Sequence, residues 1–325
     1  MKLCESKQPS DGFWRHRRVL ITGATGFLGS HLTRRLLWLG AEIYVFVRPS
    51  SKHDRIADVL PQLHVIKNDL LDSVSVRDGV NQADPEVVFH MAAFGVDRPL
   101  DDPKNAALVN IMGVVHLLEA VRERELRRFI YTGTCYEYTG DQSPVGPDSN
   151  MEPTNIYAAT KSSGALVCQA YRRTYGLPLI IIRPFQGYGP WQGTRLLIPY
   201  LITSLLKGKI VKLTSGKQVR DYVFVDDVVC GMLLGAENEC AIGESFNLGS
   251  GKGIQVRSIV ERVLNLLDGN TRVEFGAVPH RPSEIWSLWS DNLRANELLG
   301  WHPMTTLDDG LKKTVEWYVS RPNFM

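Results

Sequence analysis

The sequence has no uninterrupted apolar run near the roughly 20 residues that a membrane-spanning helix needs. Its first 18 residues lack the apolar centre of a signal peptide. The 325 residues carry a formal net charge of only +2, which offers no strong field for nucleic acid or a membrane surface. We therefore expect neither of them as a partner. We also expect residues 1–17 to form a flexible tail.

Cysteine is scarce as well, with five residues in the chain (Cys4, Cys135, Cys168, Cys230 and Cys240). The number is odd, the spacing is wide, and no Cys-x-x-Cys pair occurs. This pattern argues against a disulfide framework and against a zinc site. We expect no metal, and we expect a reducing compartment, the cytoplasm.

A glycine-rich turn follows the first apolar run, residues 19–22. Leucines then recur at helical spacing from Leu28 to Leu39, so the glycines stand between a buried strand and a helix. In this context they suit a dinucleotide, whose pyrophosphate lies at the helix N-terminus. The spacing is G-x-x-G-x-x-G. The residues predicted to bind the cofactor here are Gly23, Thr25, Gly26, Phe27, Leu28 and Gly29.

The next buried strand, residues 43–47, ends in Arg48, where an NAD enzyme usually has a carboxylate for the ribose 2′-hydroxyl. Ser50, Ser51, Lys52 and Arg55 follow. Such donors and cations suit a 2′-phosphate. The sequence therefore predicts NADP(H) rather than NAD, with Arg48, Ser50 and Ser51 as ligands.

Further strand ends carry polar or small residues. Asp69 and Leu70 follow the third strand, and Ala92 and Ala93 follow the fourth, where a cofactor could lie close to the backbone. His90 is interpreted as a scaffold histidine rather than a catalytic one. Apolar strands alternate with helices, which predicts an α/β fold with a doubly wound parallel sheet of the Rossmann type.

After residue 183 proline and glycine interrupt the pattern and the elements shorten. We assign residues 18–183 to the nucleotide-binding domain and 184–325 mainly to a smaller α/β substrate lobe, with the chain crossing back to the first domain around 215–250. Helices are predicted near 198–206, 226–234, 256–267, 292–299 and 307–318. In the first domain, residues 105–125 are predicted to form a helix with Val109, Met112, Val115 and Leu118 on one side.

Tyr157 and Lys161 stand four residues apart in a helical segment, so they share one face. An ammonium near a phenol favours the phenolate and lowers the phenol pKa. This pair would allow proton exchange with a sugar or alcohol hydroxyl while a hydride moves at the same carbon.

These motifs together resemble the extended short-chain dehydrogenase/reductase family, in particular enzymes that modify nucleotide-diphosphate sugars. The resemblance extends from about residue 18 to 318. It rests on the glycine turn, Asn68-Asp69-Leu70, His90-Met-Ala-Ala93, Thr132-Gly-Thr134, Tyr157-x-x-x-Lys161, Arg183-Pro-Phe-Gln-Gly-Tyr188-Gly-Pro190, Arg220-Asp-Tyr-Val-Phe-Val-Asp226-Asp227, Phe246-Asn-Leu-Gly-Ser250 and His280-Arg-Pro-Ser-Glu284.

The resemblance implies roles for individual residues. Tyr157 would be the general acid/base, Lys161 would hold the nicotinamide ribose, and Thr134 would bond the reacting sugar oxygen. Thr132 and Pro184 would line the cofactor site. Gln186, Arg220, Arg281 and Glu284 would bind the substrate, with the two arginines on its diphosphate.

One departure bears on the reaction. In the family's 4,6-dehydratases the Thr is followed directly by Asp-Glu, whereas Thr134 is followed by Cys135-Tyr136, and the first carboxylate is Glu137. A shift of one residue turns a side chain to the opposite face of a strand, so Glu137 should be misplaced unless a bulge re-aims it. We rank a 4-ketoreductase first, a 4-epimerase second and a dehydratase third. A catalytically inactive NADP(H)-binding regulator on the same fold remains the alternative from another class.

Apolar residues beyond one core stripe on the helix of Tyr157 and on segment 110–119 predict a homodimer through a four-helix interface. The residues that carry this prediction are Leu117, Val121, Leu166 and Val167.

Overall fold

A seven-stranded parallel sheet forms the centre of the fold. The structure, a computed structural model, describes residues 7–96, 102–139, 143–267 and 273–321. The strands in chain order are β1 (Arg18–Thr22), β2 (Glu42–Val47), β3 (His64–Lys67), β4 (Val87–His90), β5 (Arg128–Thr132), β6 (Leu179–Pro184), β7 (Gln186–Tyr188), β8 (Val211–Leu213), β9 (Val219–Arg220), β10 (Tyr222–Phe224), β11 (Ser245–Leu248), β12 (Ile254–Gln255), β13 (Val273–Phe275) and β14 (Ser287–Leu288). The central sheet has the order β11-β6-β5-β4-β1-β2-β3.

The helices are α1 (Asp11–Trp14), α2 (Phe27–Trp38), α3 (Ser73–Ala83), α4 (Pro103–Ala107), α5 (Gly113–Val121), α6 (Ile156–Tyr175), α7 (Leu197–Leu206), α8 (Val225–Glu237), α9 (Val256–Leu266), α10 (Leu293–Leu299) and α11 (Leu307–Val319). Short 3₁₀ turns lie at Leu60–Gln62, Cys135–Glu137 and Glu239–Ala241, and a π-helical turn lies at Leu108–Met112. The five helices predicted after residue 183 are all present. Their bounds differ from the prediction by at most three residues, within the ordinary fraying of helix ends.

Helices cover both faces of the sheet. Alternate residues of one strand point to opposite faces and therefore pack into different cores. Val19 and Ile21 pack into one core with residues of α2 and α8. Leu20, between them, packs into a second core with residues of α3, α5 and α6. The predicted doubly wound α/β fold is confirmed.

A third core belongs to the part of the chain after β6 and is formed mainly by α7, α9 and α11. The small sheets of this lobe are β10 with β7, β13 with β8, and β9 between β12 and β14. Between these elements the chain returns to the central sheet, where β11 pairs with β6. The lobe is therefore joined to the central sheet at β6, the strand that follows α6 in the chain.

The expected flexible tail is wrong for residues 11–17. Asp11–Trp14 form a short helix, and Trp14 is fully buried in the core under the sheet. The Trp14 indole N–H donates to the Glu237 carboxylate at 2.6 Å. An indole can be buried at low cost when its N–H has such a partner, and the local sequence does not reveal one 223 residues away. Residues 1–6 lie outside the described ranges.

The predicted helix over 105–125 is interrupted by the π turn, which changes its buried face. Asn110 is buried there; its side chain accepts from Phe94 N at 2.8 Å and donates to Thr160 Oγ1 at 2.9 Å. A π turn adds a residue to one turn of helix and rotates the face that follows. Of the residues predicted to share one side, Met112 is consequently 41% exposed, whereas Leu118 is buried.

The same rotation corrects two of the predicted dimer residues, because Leu117 and Val121 are fully buried within their own subunit. The segment Pro103–Val121 is long and apolar enough to cross a membrane by length and composition. From the sequence we expected no apolar run long enough to span a membrane. In the fold this segment packs against α3 and α6 and contributes Leu117 and Val121 to the core.

Candidate active site

The glycine turn lies between β1 and α2 and needs its glycines for space. Gly23 has φ +77°, and a Cβ there would lie 2.7 Å from Ala92 N. A Cβ on Gly29 would lie 2.2 Å from the Gly23 carbonyl oxygen. Gly26 is the N-cap of α2 and provides no side-chain cap, so the first N–H groups of the helix, on Phe27 and Leu28, remain available to an anion. This geometry fits a pyrophosphate.

The neighbouring strand ends supply polar atoms that fit the rest of a dinucleotide. Thr132 Oγ1 and Asn68 Oδ1 are buried, and neither has a hydrogen-bond partner in the described part of the chain. Buried polar groups are rarely left unpaired. The Asp69 carboxylate accepts from Leu71 N at 3.0 Å. The Leu70 carbonyl accepts from His116 Nδ1 at 2.7 Å. Asp69 and Leu70 both come just after the end of β3, the position predicted for them.

Arg48 and Ser50 are exposed at the end of β2, and Ser51 is half-buried. No ion pair of Arg48 is recorded within the described ranges. Arg55, expected in the same cationic group, instead donates to the Trp191 carbonyl at 2.7 Å and to the Thr25 carbonyl at 3.4 Å. It joins the glycine turn to the lobe, because its long side chain reaches carbonyls that are distant in sequence.

His90 is part of the scaffold, as predicted. Its Nδ1 lies 2.8 Å from Thr22 Oγ1, and burial together with the Lys161 charge lowers the His90 pKa to about 3. Thr22 Oγ1 already accepts from Met91 N and Ala92 N, so its hydrogen is free to go to Nδ1. The ring is neutral at physiological pH and supports the cofactor loop that contains Ala92 and Ala93.

Tyr157 and Lys161 lie on the first turns of α6, whose start is fixed by Asn155 capping Ala158 N at 2.9 Å. Thr134, just after the end of β5, lies close enough to Tyr157 for its side chain to lower the phenol pKa. Burial is the larger effect, and it raises the pKa of Tyr157. The prediction of a lowered phenol pKa is wrong here, because the phenolate loses its solvation.

Lys161 is 2% exposed, and its Nζ lies 4.3 Å from the centre of the Tyr131 ring. Burial lowers the pKa of Lys161 to about 8, although the charge of Glu137 acts in the opposite direction. At pH 7 Lys161 therefore remains mostly an ammonium. It provides a buried cation on the same face of α6 as Tyr157.

The Glu137 carboxylate is bound within the turn that follows Thr134. Residues 135–137 form a 3₁₀ turn in which the Glu137 carboxylate accepts from Thr134 N at 2.9 Å. Its other oxygen accepts from Arg183 Nε at 2.6 Å, and both side chains are buried. Gly133 makes this possible, because a Cβ there would lie 2.4 Å from the carboxylate. The strand-face argument for Glu137 does not apply, because residues 135–137 form a 3₁₀ turn rather than a strand. The contacts with Thr134 N and Arg183 determine where this carboxylate lies.

We call the group of Thr134, Cys135, Tyr136, Gln186 and Arg220 the substrate wall, because it includes the residues predicted to bind the substrate. Gln186 donates through Nε2 to Tyr136 Oη at 3.0 Å and to Cys135 Sγ at 3.6 Å. Arg220 is nearly buried and is paired with Glu284 at 3.1 Å. Tyr136 and Cys135 were missed as wall residues by sequence reasoning, although their position directly after Thr134 at a strand end was a usable signal.

Two other predicted residues lie at the margins of this wall. Arg281 is exposed, and its carbonyl accepts from Glu284 N at 3.1 Å. Pro184 ends β6, where it is paired with Leu248 of β11. Among the described residues no group of three or more His, Cys, Asp or Glu side chains could hold a metal ion.

Comparisons with known proteins agree with this arrangement. Residues 19–249 match the model of the NAD dependent epimerase/dehydratase family. A UDP-glucose 4-epimerase of Mycolicibacterium smegmatis is 34% identical over 314 residues, which cover 93% of this chain and 98% of that protein. The solved UDP-glucose 4-epimerase of Thermotoga maritima, with UDP-glucose, is 28% identical, has a TM-score of 0.87, and is matched over 94% of this chain and 99% of its own.

A solved dTDP-glucose 4,6-dehydratase from Streptomyces venezuelae, with NAD, is 30% identical and also has a TM-score of 0.87. The match covers 94% of this chain and 98% of that one. The fold that surrounds the site is thus similar to proteins named for two different reactions. The choice between those reactions depends on the side chains of the site.

Proposed function

Since this chain belongs to the NAD dependent epimerase/dehydratase family, we propose that it is a 4-epimerase of a nucleotide-diphosphate sugar. One observation carries the choice between the reactions of its relatives: Glu137, the first carboxylate after Thr134, is bound to Arg183 and to the Thr134 backbone. A carboxylate held by a buried guanidinium cannot move a proton at the sugar carbon without breaking that pair. Thr134, Tyr157 and Lys161 remain for chemistry at the sugar oxygen.

These three residues divide the work at the sugar oxygen. In the oxidising half of the reaction the Tyr157 phenolate takes the proton of the sugar hydroxyl, and in the reducing half the phenol returns it. Burial raises the pKa of Tyr157, so the phenolate depends on stabilisation by nearby positive charge. Thr134 orients the phenol and the sugar oxygen through its hydroxyl. Lys161 stabilises negative charge as it develops on either oxygen. A bound nicotinamide would supply the hydride exchange.

The cofactor site would be formed by the turn Gly23–Gly29 and the ends of β2 to β5. We propose NADP(H) as the preferred cofactor, on the basis of the exposed guanidinium of Arg48 at the end of β2, for which the described part of the chain provides no ion-pair partner. The solved dehydratase relative holds NAD. The preference therefore depends on the side chains of this chain alone.

The same arginine favours a second candidate, a 4-ketoreductase of a nucleotide-linked 4-keto sugar, which we had ranked first from the sequence. Net reduction consumes NADPH, whereas an epimerase returns the hydride and consumes none. The close likeness to a UDP-glucose 4-epimerase along nearly the whole chain leads us to place the epimerase first. Thr134, Tyr157 and Lys161 would serve both reactions.

The substrate would lie between Tyr157 and the lobe. Arg220, with Glu284 behind it, and the exposed Arg281 would hold the diphosphate, and Gln186 would line the sugar. We further propose a homodimer through α5 and α6. Leu166 on α6 is 52% exposed, and Met112, in the π turn that precedes α5, is 41% exposed.

One experiment separates the three reactions. Purified protein is incubated with UDP-, dTDP-, GDP- and CDP-linked hexoses and their 4-keto derivatives, with each nicotinamide cofactor, and products are analysed by mass and chromatography. An epimerase gives a product of unchanged mass and no net change in absorbance at the NADPH wavelength. A ketoreductase adds two hydrogens with stoichiometric NADPH loss. A product lighter by one water would overturn the proposal in favour of a dehydratase.

A further inference from the structure

Tyr136 has no part in the proton transfer proposed above, although it lies in the turn that directly follows Thr134. It follows Thr134 by two residues, in the 3₁₀ turn that Glu137 and Arg183 hold in place. Its backbone N–H donates to Thr134 Oγ1 at 3.4 Å. The side chain is half-buried, and its phenol oxygen accepts from Gln186 Nε2.

The hydrogen bonds of Gln186 decide what this wall offers to a ligand. A glutamine amide has two N–H groups and one carbonyl oxygen. Both N–H groups of Gln186 are engaged, one by Tyr136 Oη and one by Cys135 Sγ. Within the described ranges no hydrogen bond of the Gln186 carbonyl oxygen is recorded. The Gln186 carbonyl oxygen is therefore available to accept a hydrogen bond from a ligand.

Tyr136 presents the opposite character. Its phenol oxygen already accepts from Gln186, and no acceptor for its own hydrogen is recorded among the residues that the structure describes. Burial raises the pKa of Tyr136, although Arg220 and the hydrogen bonds that it and Gln186 make act in the opposite direction. The phenol therefore keeps its hydrogen at neutral pH and is available as a donor.

A donor and an acceptor held side by side match a group that both accepts and donates, which is a hydroxyl. A phosphate oxygen would meet the Gln186 carbonyl oxygen as a second acceptor without a hydrogen between them. Tyr136 also stands two residues after Thr134, and its phenol is near enough to Arg220 for the guanidinium to lower its pKa. In the proposed substrate the group between the reacting oxygen and the diphosphate is the hexose ring.

We propose that Tyr136, held by Gln186, is a specificity-determining residue that donates a hydrogen bond to one hexose hydroxyl other than the reacting one. The inference rests on the proposed nucleotide-sugar function. It predicts that the enzyme requires a free hydroxyl at one particular position of the ring, and that Tyr136 contributes to binding and orientation rather than to proton transfer.

The test compares Tyr136→Phe with the wild type on the best substrate and on its 2-deoxy, 3-deoxy and 6-deoxy analogues. Removing the phenol oxygen should raise KM about three- to tenfold, the range of one neutral hydrogen bond, and change kcat less than about threefold. For the wild type, one deoxy analogue should show the same rise in KM. Tyr136→Phe should show no additional rise with that analogue, because the two changes remove the same contact.

Tyr44→Phe is the matched control, since it also removes one phenol oxygen, from a residue on β2 whose hydroxyl donates to Glu42. It should leave KM and kcat as in the wild type. The proposal is overturned if Tyr136→Phe leaves KM unchanged, if its effects add to those of every deoxy analogue, or if kcat falls as far as in Tyr157→Phe. If the wild type converts no nucleotide sugar, the proposed function fails, and calorimetric titration of both proteins with the nucleotide sugars decides the binding role separately.

Discussion

The Glu137 carboxylate accepts a hydrogen bond from Arg183 Nε at 2.6 Å, with Arg183 2% and Glu137 0% exposed. This pair joins the turn after Thr134 to strand β6. It gives the carboxylate a structural role, and the proposed epimerase therefore does not use Glu137 as a base.

Glu137→Gln should therefore destabilise the protein. The amide can still cap Thr134 N, but Arg183 loses its counter-charge, and breaking a buried pair costs about 3–5 kcal/mol. Urea unfolding measures this loss. Glu123→Gln, an exposed position, is the control and should change little. Equal stabilities of Glu137→Gln and the wild type would contradict the structural role.

Tyr157→Phe should abolish most turnover and leave cofactor binding intact. It retains the ring but removes the hydroxyl that exchanges the proton, a contribution of about 10²–10⁴-fold. Thr134→Val should also lower turnover, and Lys161→Met should impair both turnover and cofactor affinity. Steady-state rates and a fluorescence titration with NADPH measure the two quantities. Tyr171→Phe, on the same helix with its hydroxyl on Glu119, is the control. Retention of more than a tenth of the wild-type rate by Tyr157→Phe would remove it from the mechanism.

The stability of the cofactor-free protein should depend on pH through Lys161. Its pKa is about 8 in the fold against an ordinary value of 10.5, so between these pH values the unfolded chain binds a proton that the folded chain does not. Stability from this residue therefore rises as pH increases from 8 to 10.5. Relative to the wild type, Lys161→Met should be more stable at pH 7, and this advantage should shrink by on the order of 3 kcal/mol across the window. Urea unfolding at pH 7, 8.5 and 10 tests this. A difference independent of pH would contradict the shifted pKa.

Arg48→Asp should reverse the cofactor preference from NADP(H) to NAD(H). A charged hydrogen bond to the 2′-phosphate contributes about 1.5–3 kcal/mol, and the carboxylate would repel the phosphate and accept from the 2′-hydroxyl. Dissociation constants for both cofactors measure the change. Arg35→Asp, on α2 with its guanidinium over Trp38, controls for net charge and should have no effect on the preference. Equal affinity of the wild type for NAD and NADP would show that Arg48 does not select the cofactor.

Leu166→Glu should convert the proposed dimer into monomers, because it places a charge at the centre of an apolar helical interface. Light scattering at micromolar concentration measures the mass. Leu266→Glu, at a comparably exposed position on α9, should leave it unchanged. A monomeric wild type would exclude the dimer.

The sequence by itself determined the features that depend on local pattern. Apolar runs alternating with amphipathic segments predict the parallel sheet, since a strand buried on both faces must be apolar throughout. The glycines of the β1–α2 turn, and Tyr157 and Lys161 on one face of α6, are likewise fixed by spacing of a few residues. These elements occur in the structure where they were predicted.

Only the tertiary structure decided the features that depend on distant partners. Trp14 is buried because Glu237 accepts its indole hydrogen, and Glu137 is turned inward because Arg183 neutralises it and Gly133 leaves room. The pKa of Tyr157 is raised rather than lowered, because desolvation depends on everything packed around the phenol and not on one lysine four residues away. Periodicity encodes which face of an element is buried; it does not encode which residue from another part of the chain meets that face.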